Sequence, residues 1–301
     1  MISQLTALEC RVRAAHPLLN IAVMNKLLVL ALSVPLVACV IGDADSTGAG
    51  TGDDTGHEPG NGSAPTDLYQ HITASTTWTG SFDVTKNTKI DPGVTVTVAP
   101  GTVVKLASQT SLTIAGVLDV QGSKAAPVQI QSAVDGQYHY GVSVGLGGEL
   151  KMTYGVQTGG GITVDGGKAT VTDSRMSHSS GDFLVIDAGT LVVSYSSIGL
   201  EPGVADTTHC DLHFGGTGTT IKINHTNIST STYGLMLYGG NGVDLTSNNW
   251  FSNTTQVDTQ AGASGDLSNG WFDKGLPTAG AGATLTINTP AATRLLDAGP
   301  R

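Results

Sequence analysis

The chain is 301 residues long, with 39% hydrophobic residues, 5% aromatics and 41 glycines. Such a chain can close an elongated domain of short strands and tight turns, but it has little of the bulky side-chain filler of a thick globular core. Charged residues make up 13% and the formal net charge is −10, which argues against a nucleic-acid partner, since phosphate binding needs clustered Lys and Arg.

Met24-Asn25-Lys26 leads into the apolar run "LLVLALSVPLVA" (27 to 38), followed by Cys39. A bilayer span needs about 20 apolar residues, so this shorter run reads as the hydrophobic region of a secretory signal, with translation starting at Met24 and residues 1–38 as the signal region. The stretch "LVAC" (36 to 39) resembles the lipobox of bacterial lipoproteins. That resemblance implies that Cys39 is acylated and becomes the first mature residue, and that Val40, in place of Asp, sends the protein on to an outer membrane, facing periplasm or exterior. Two or more acyl chains would hold it there. With Cys10 upstream of the expected start and Cys39 lipidated, Cys210 is the one thiol left, so no intramolecular disulfide is expected.

Residues 40 to 66 contain seven glycines and five acids with no Lys or Arg, a composition unable to bury enough apolar surface to fold. With Cys39 this segment, 39–66, is expected to be a disordered tether. The folded domain is expected over 67–301.

From residue 67 the texture is period-2 alternation broken by Gly and Asn, as in "VTVTV" (94 to 98), "TVVKL" (102 to 106) and "PVQIQS" (127 to 132). Strands bounded by frequent turns are predicted, and no helix. Four segments then superimpose: "VTDSRM" ending at 176, "VSYSSI" at 198, "INHTNI" at 228 and "LTSNNW" at 250, with "LSNGW" ending at Trp271. The spacing is near 22 residues, and the one longer step contains "EPGVADTT" (201 to 208), which reads as a loop inserted in one coil. A unit of this size cannot close alone, but stacked units bury one another's apolar edges.

The pattern apolar-x-polar-polar-x-apolar on this period looks like the right-handed parallel β-helix family of pectate lyases, polygalacturonases and many surface proteins. The segment from Thr76 to Ala133 is similar to the entry coils of secreted bacterial β-helix proteins. The implied fold is all-β: one single-stranded, right-handed parallel β-helix of about 22 residues per coil.

The resemblance implies that the polar series Ser174, Ser196, Thr226, Asn248, Asn269 points inward at a turn, where such side chains would bond along the stack. Catalysis is not favoured. Arg175, Arg294 and Arg301 are the arginines of the mature chain, the adjacent carboxylates Asp53 and Asp54 sit in the tether, and no "GHG", "NTD" or "RIK" is present. If the chain were nevertheless a polysaccharide lyase or glycosidase, the resemblance to calcium-dependent lyases of this family implies calcium in the lyase case; otherwise no cofactor is expected.

In "HCDLHF" (209 to 214), alternation puts His209, Asp211 and His213 on one face and Cys210, Leu212 and Phe214 on the other. Positions i and i+4 on a strand lie roughly 13 Å apart, too far for one ion to take all three. The coil register predicts Phe183, Leu212, Leu235 and Val257 inside, with Leu184, His213, Met236 and Asp258 stacked outside. Two residues further come Ile186, Gly215, Tyr238 and Gln260. His213, Met236, Tyr238 and Asp258 therefore form the candidate ligand face, whose alternative is a surface covered by the inserted loop. Trp250 and Trp271 are expected in the core, with Phe251 and Phe272 as possible outward contacts. The function implied is a lipid-anchored envelope protein with a non-catalytic binding or structural role, partnered by a membrane and by a polysaccharide or envelope protein.

Overall fold

The structure is a computed structural model that describes residues 68–200, 206–216, 218–239 and 242–301. The signal region, Cys39, the tether and the first five residues of the inserted loop lie outside the described residues. Those described fall within one compact unit, Ser63–Arg301.

Among the described residues all regular elements are strands, and every pairing is parallel. Each coil contributes up to three short strands, and equivalent strands stack into three columns that form a parallel β-solenoid. The first column runs from Gln70–Ile72 to Thr255–Thr259. The second runs from Thr76–Trp78 to Thr284–Thr286, and the third from Ser81–Val84 to Trp271–Phe272. In two coils the first and second strands merge into one, Ile162–Thr172 and Asp182–Ser194.

Alternation explains the core. In Val103–Leu106, Ser111–Ile114 and Val117–Gln121 every second residue is buried, because successive side chains point to opposite faces of a strand. Stacking aligns those inward residues: Ala169 pairs with Leu191 and Leu191 with Ile221, while Met176 pairs with Ile198, Ile198 with Ile228 and Ile228 with Trp250.

The corner between second and third columns is made by residues with left-handed backbone, Tyr154, Asp173, Tyr195, His225, Ser247 and Asn269, at φ between 47° and 60°. Asn, Asp, His and Ser tolerate this conformation better than branched residues. Just inside it runs the polar ladder. The Ser174 amide donates to Ser196 Oγ at 3.2 Å and the Thr226 amide to Asn248 Oδ1 at 2.9 Å. Asn248 Nδ2 donates to the carbonyls of Ile223 and Leu245, both at 2.8 Å. Ser174, Ser196, Thr226 and Asn248 are fully buried, so the ladder is structural, as expected.

Two register expectations are corrected. Asn249 pairs with Trp271 and Trp250 with Phe272, so Phe272 takes the core position expected of Trp271, and Asn269 belongs to the left-handed corner, not to the polar ladder. The cause is a last repeat one residue longer than the alignment assumed, 22 residues from Trp250 to Phe272. Phe251 and Phe272 are both buried. Phe272 stacks on Trp250 with ring centroids 6.2 Å apart, and the Arg294 guanidinium covers Phe251 at 4.1 Å. Neither phenylalanine is an open sugar platform.

Candidate functional site

The candidate face lies on the first column, where Asp182–Ser194, Cys210–Phe214, Tyr233–Leu237 and Thr255–Thr259 stack. His213 pairs with Met236 and Met236 with Asp258, as the coil register predicts. One coil earlier the prediction is off by one. Leu184, not Phe183, pairs with Leu212, and Leu184 and Ile186 are buried in the core. Val185 is therefore His213's outward neighbour. The misalignment arises because the longer step across the inserted loop does not say where the loop ends.

The corrected register brings in a residue that sequence reasoning missed. Asp182 pairs with Cys210, and its carboxylate reaches the two histidines that flank that position. His209 Nδ1 lies 2.9 Å from Asp182 Oδ1 and His213 Nδ1 lies 2.5 Å from Oδ2. A carboxylate only accepts, so both imidazoles carry the Nδ1 proton toward it. Asp211 does not join the two histidines at the surface: it is fully buried, while His209 is exposed and His213 is partly so. The carboxylate between the histidines comes from the preceding coil.

Each histidine also meets a tyrosine from the following coil. The ring centroids of His209 and Tyr233 are 5.2 Å apart, and those of His213 and Tyr238 are 5.4 Å apart at 83°, an edge-to-face contact. The Tyr238 hydroxyl donates to Asp258 Oδ2 at 2.8 Å. Three of the four expected face residues, His213, Tyr238 and Asp258, are thus linked directly or in sequence. Met236 lies beside them in the ladder.

The electrostatics follow from these contacts. The Asp182 hydrogen bond raises the His213 pKa above its ordinary value, against the opposing effect of burial. Burial pushes the Asp182 carboxyl up, but hydrogen bonds from His213 and His209 outweigh it and leave the group below its usual range. Tyr238 is pushed up to about 12 by burial and by its bond to Asp258, which keeps the phenol a donor at neutral pH. Burial also pushes the Cys210 thiol far up, so it is not a nucleophile. Among the described residues no group of three or more metal-ligating side chains converges on a common point, and the two histidines spend Nδ1 on Asp182.

The described part of the inserted loop sits at one end of this face. Asp206 Oδ1 accepts from the His178 amide at 3.0 Å, and Thr208 Oγ1 from the Ser179 amide at 3.1 Å. Both anchors are to the turn before Asp182. No family model, curated protein or solved structure matches the chain.

Proposed function

We propose that the protein is a lipid-anchored envelope protein whose solenoid, of the pectate-lyase-like kind, presents the Asp182–His213–Tyr238–Asp258 face to a glycan without cleaving it. The observation that carries this reading is the pair of His–Tyr edge contacts across adjacent coils, with both histidines held by Asp182 and Tyr238 held by Asp258. Aromatic rings supply apolar area for a sugar ring, and carboxylate and imidazole groups supply hydrogen-bond partners for its hydroxyls. Both carboxylates are already engaged, Asp182 by two imidazoles and Asp258 by a phenol, which favours holding a ligand over activating water. The lipobox-like "LVAC" supports anchoring through Cys39 to an outer membrane. A tether of about 27 residues would let the domain stand up to roughly 90 Å away.

Binding of the full chain to a panel of neutral and acidic polysaccharides tests the glycan reading. Tyr238→Ala should weaken capture at least several-fold while the fold is kept, and unchanged capture by a folded variant removes this face. Cys39→Ala should release the protein from membranes, and unchanged membrane partition refutes the anchor.

One observation favours a second reading. Asp182 orients His213 and raises its proton affinity, the arrangement a general acid needs, which is compatible with a polysaccharide lyase or glycosidase. Release of unsaturated products or reducing ends from the same panel, with and without calcium, would establish it and sink the binding-only role.

A further inference from the structure

On a different side of the solenoid, the C-terminal segment turns back across the third column. Ala291 donates its amide to the Gly270 carbonyl at 2.9 Å, Leu295 to Asn249 Oδ1 at 2.8 Å, and Gly299 to the His225 carbonyl at 2.9 Å. The segment therefore runs from late coils toward earlier ones and ends at Asp173. There Asp173 Oδ1 accepts from the Arg301 amide at 3.2 Å and from Nε at 2.9 Å, while Oδ2 accepts from Nη2 at 2.9 Å. The guanidinium lies over the Tyr195 ring, 3.8 Å from its centroid. Pro300 and Arg301, so held, wall a cleft of ≈ 240 Å³ whose other sides include Lys124, Tyr154, Asp173 and Arg175.

The charges in this cleft run against those of the chain. The whole protein carries −10 with 14 basic residues, yet the side chains of Lys124, Arg175 and Arg301 meet here with one side-chain carboxylate, Asp173. Asp173 has both oxygens on Arg301, and the nearby Lys124 charge adds to the lowering of its carboxyl pKa. Lys124 and Arg175 are both exposed, and neither makes a direct ion pair among the described residues. Arg175 stands on the third column between Val156 and Ser197, neutral neighbours that do not draw its guanidinium away. Both line the cleft, so an anion seated in it would meet a second and third cation beside Arg301.

We propose that this cleft binds an oxyanion group, a carboxylate, sulfate or phosphate borne by a ligand, between the Arg175 guanidinium and the Lys124 ammonium. Arg175 offers the planar fork that matches such groups bidentately, and Lys124 adds a mobile point charge. The Tyr154 ring, fixed at a left-handed corner, gives the rest of the ligand an apolar surface. The volume is below the range of drug-sized sites, so the cleft takes one charged group or one unit of a longer chain. The site is independent of the His213 face.

The test is calorimetric titration of the full chain with inorganic sulfate, inorganic phosphate and glucuronate, each against chloride at equal ionic strength. At least one probe should bind more tightly than chloride, and the strongest identifies whether the natural group is sulfate, phosphate or carboxylate. The double variant Lys124→Gln, Arg175→Gln should weaken that binding by about tenfold or more, the scale of a lost charge-assisted contact, without changing the melting temperature by more than a degree or two. Arg175→Lys should retain part of the affinity, and Tyr238→Ala all of it. No preference for any probe over chloride, or equal affinity in the folded double variant, overturns the proposal.

Discussion

Asp182 and His213 lie 31 residues apart in sequence and 2.5 Å apart in space, joined across one coil boundary. Because the pair shifts both partners, its contribution to stability has two limits. His213 has a raised folded pKa, so its share is fully present below the unfolded value near 6.5 and is lost as pH rises through the folded value. Asp182 has a depressed one, so its share is present above the unfolded value near 3.8 and is lost as pH falls through the folded value. The pair therefore stabilises most on the mildly acidic side of neutrality. Asp182→Asn should lower the His213 pKa in an NMR titration and cost about 1 kcal/mol at pH 6, where a partly exposed pair contributes modestly. An unmoved His213 titration would show that Asp182 does not control it.

How much of this was legible before the coordinates depends on what each feature requires. The solenoid was legible because coil stacking repeats one apolar pattern, and the ladder Met176, Ile198, Ile228, Trp250 follows from spacing alone. His213, Met236 and Asp258 were placed correctly because their coils are 23 and 22 residues long, without insertions. Asp182 was not legible. It meets the histidines across the coil that carries the inserted loop, where spacing does not fix register, and a shift of one residue exchanges inside for outside. The Arg301–Asp173 contact, 128 residues apart, belongs to a tail with no repeat at all.

Asp211 should report its burial through pH. It is fully enclosed, neither carboxylate oxygen has a hydrogen-bond partner of good geometry, and burial raises its pKa well above the usual value. The folded protein therefore keeps a proton that the unfolded chain loses above about 3.8, and stability falls with rising pH between those two values by about 1.4 kcal/mol per unit. Asp211→Asn removes the ionisation at nearly constant shape. It should melt higher than the parent at pH 7 and close to it at pH 3.5. Parallel stability curves for the two proteins across this range would sink the assignment.

The C-terminal segment is expected to detach when Arg301 is removed. The Arg301 hydrogen bonds hold the Asp173 carboxyl below its usual range, and Asp173 is 5% exposed, so Arg301→Ala leaves a buried carboxylate unpaired. The variant should melt lower, and the deficit should shrink as pH falls through the folded Asp173 pKa, since protonation of the carboxyl removes the stabilisation from the parent too. Asp173→Asn should be less sensitive to Arg301→Ala than the parent is. A double-mutant cycle with no coupling would rule out the clamp. Detachment would also uncover Phe251, which an apolar dye would register.

Trp250 offers the sharpest separation of packing from hydrogen bonding. Its side chain is fully buried between Ile228 and Phe272 in the third column, yet its indole nitrogen has no hydrogen-bond partner. Truncation to Ala should cost about 3–5 kcal/mol through lost burial and the cavity left behind. Trp250→Phe keeps the stack on Phe272 and removes an N–H whose unpaired burial costs about 1–3 kcal/mol, which offsets much of the lost area. Urea unfolding should therefore find Trp250→Phe destabilised by about 1 kcal/mol, with an unchanged denaturant slope. If Phe proves as costly as Ala, the indole nitrogen is bonded in solution and the offset does not exist.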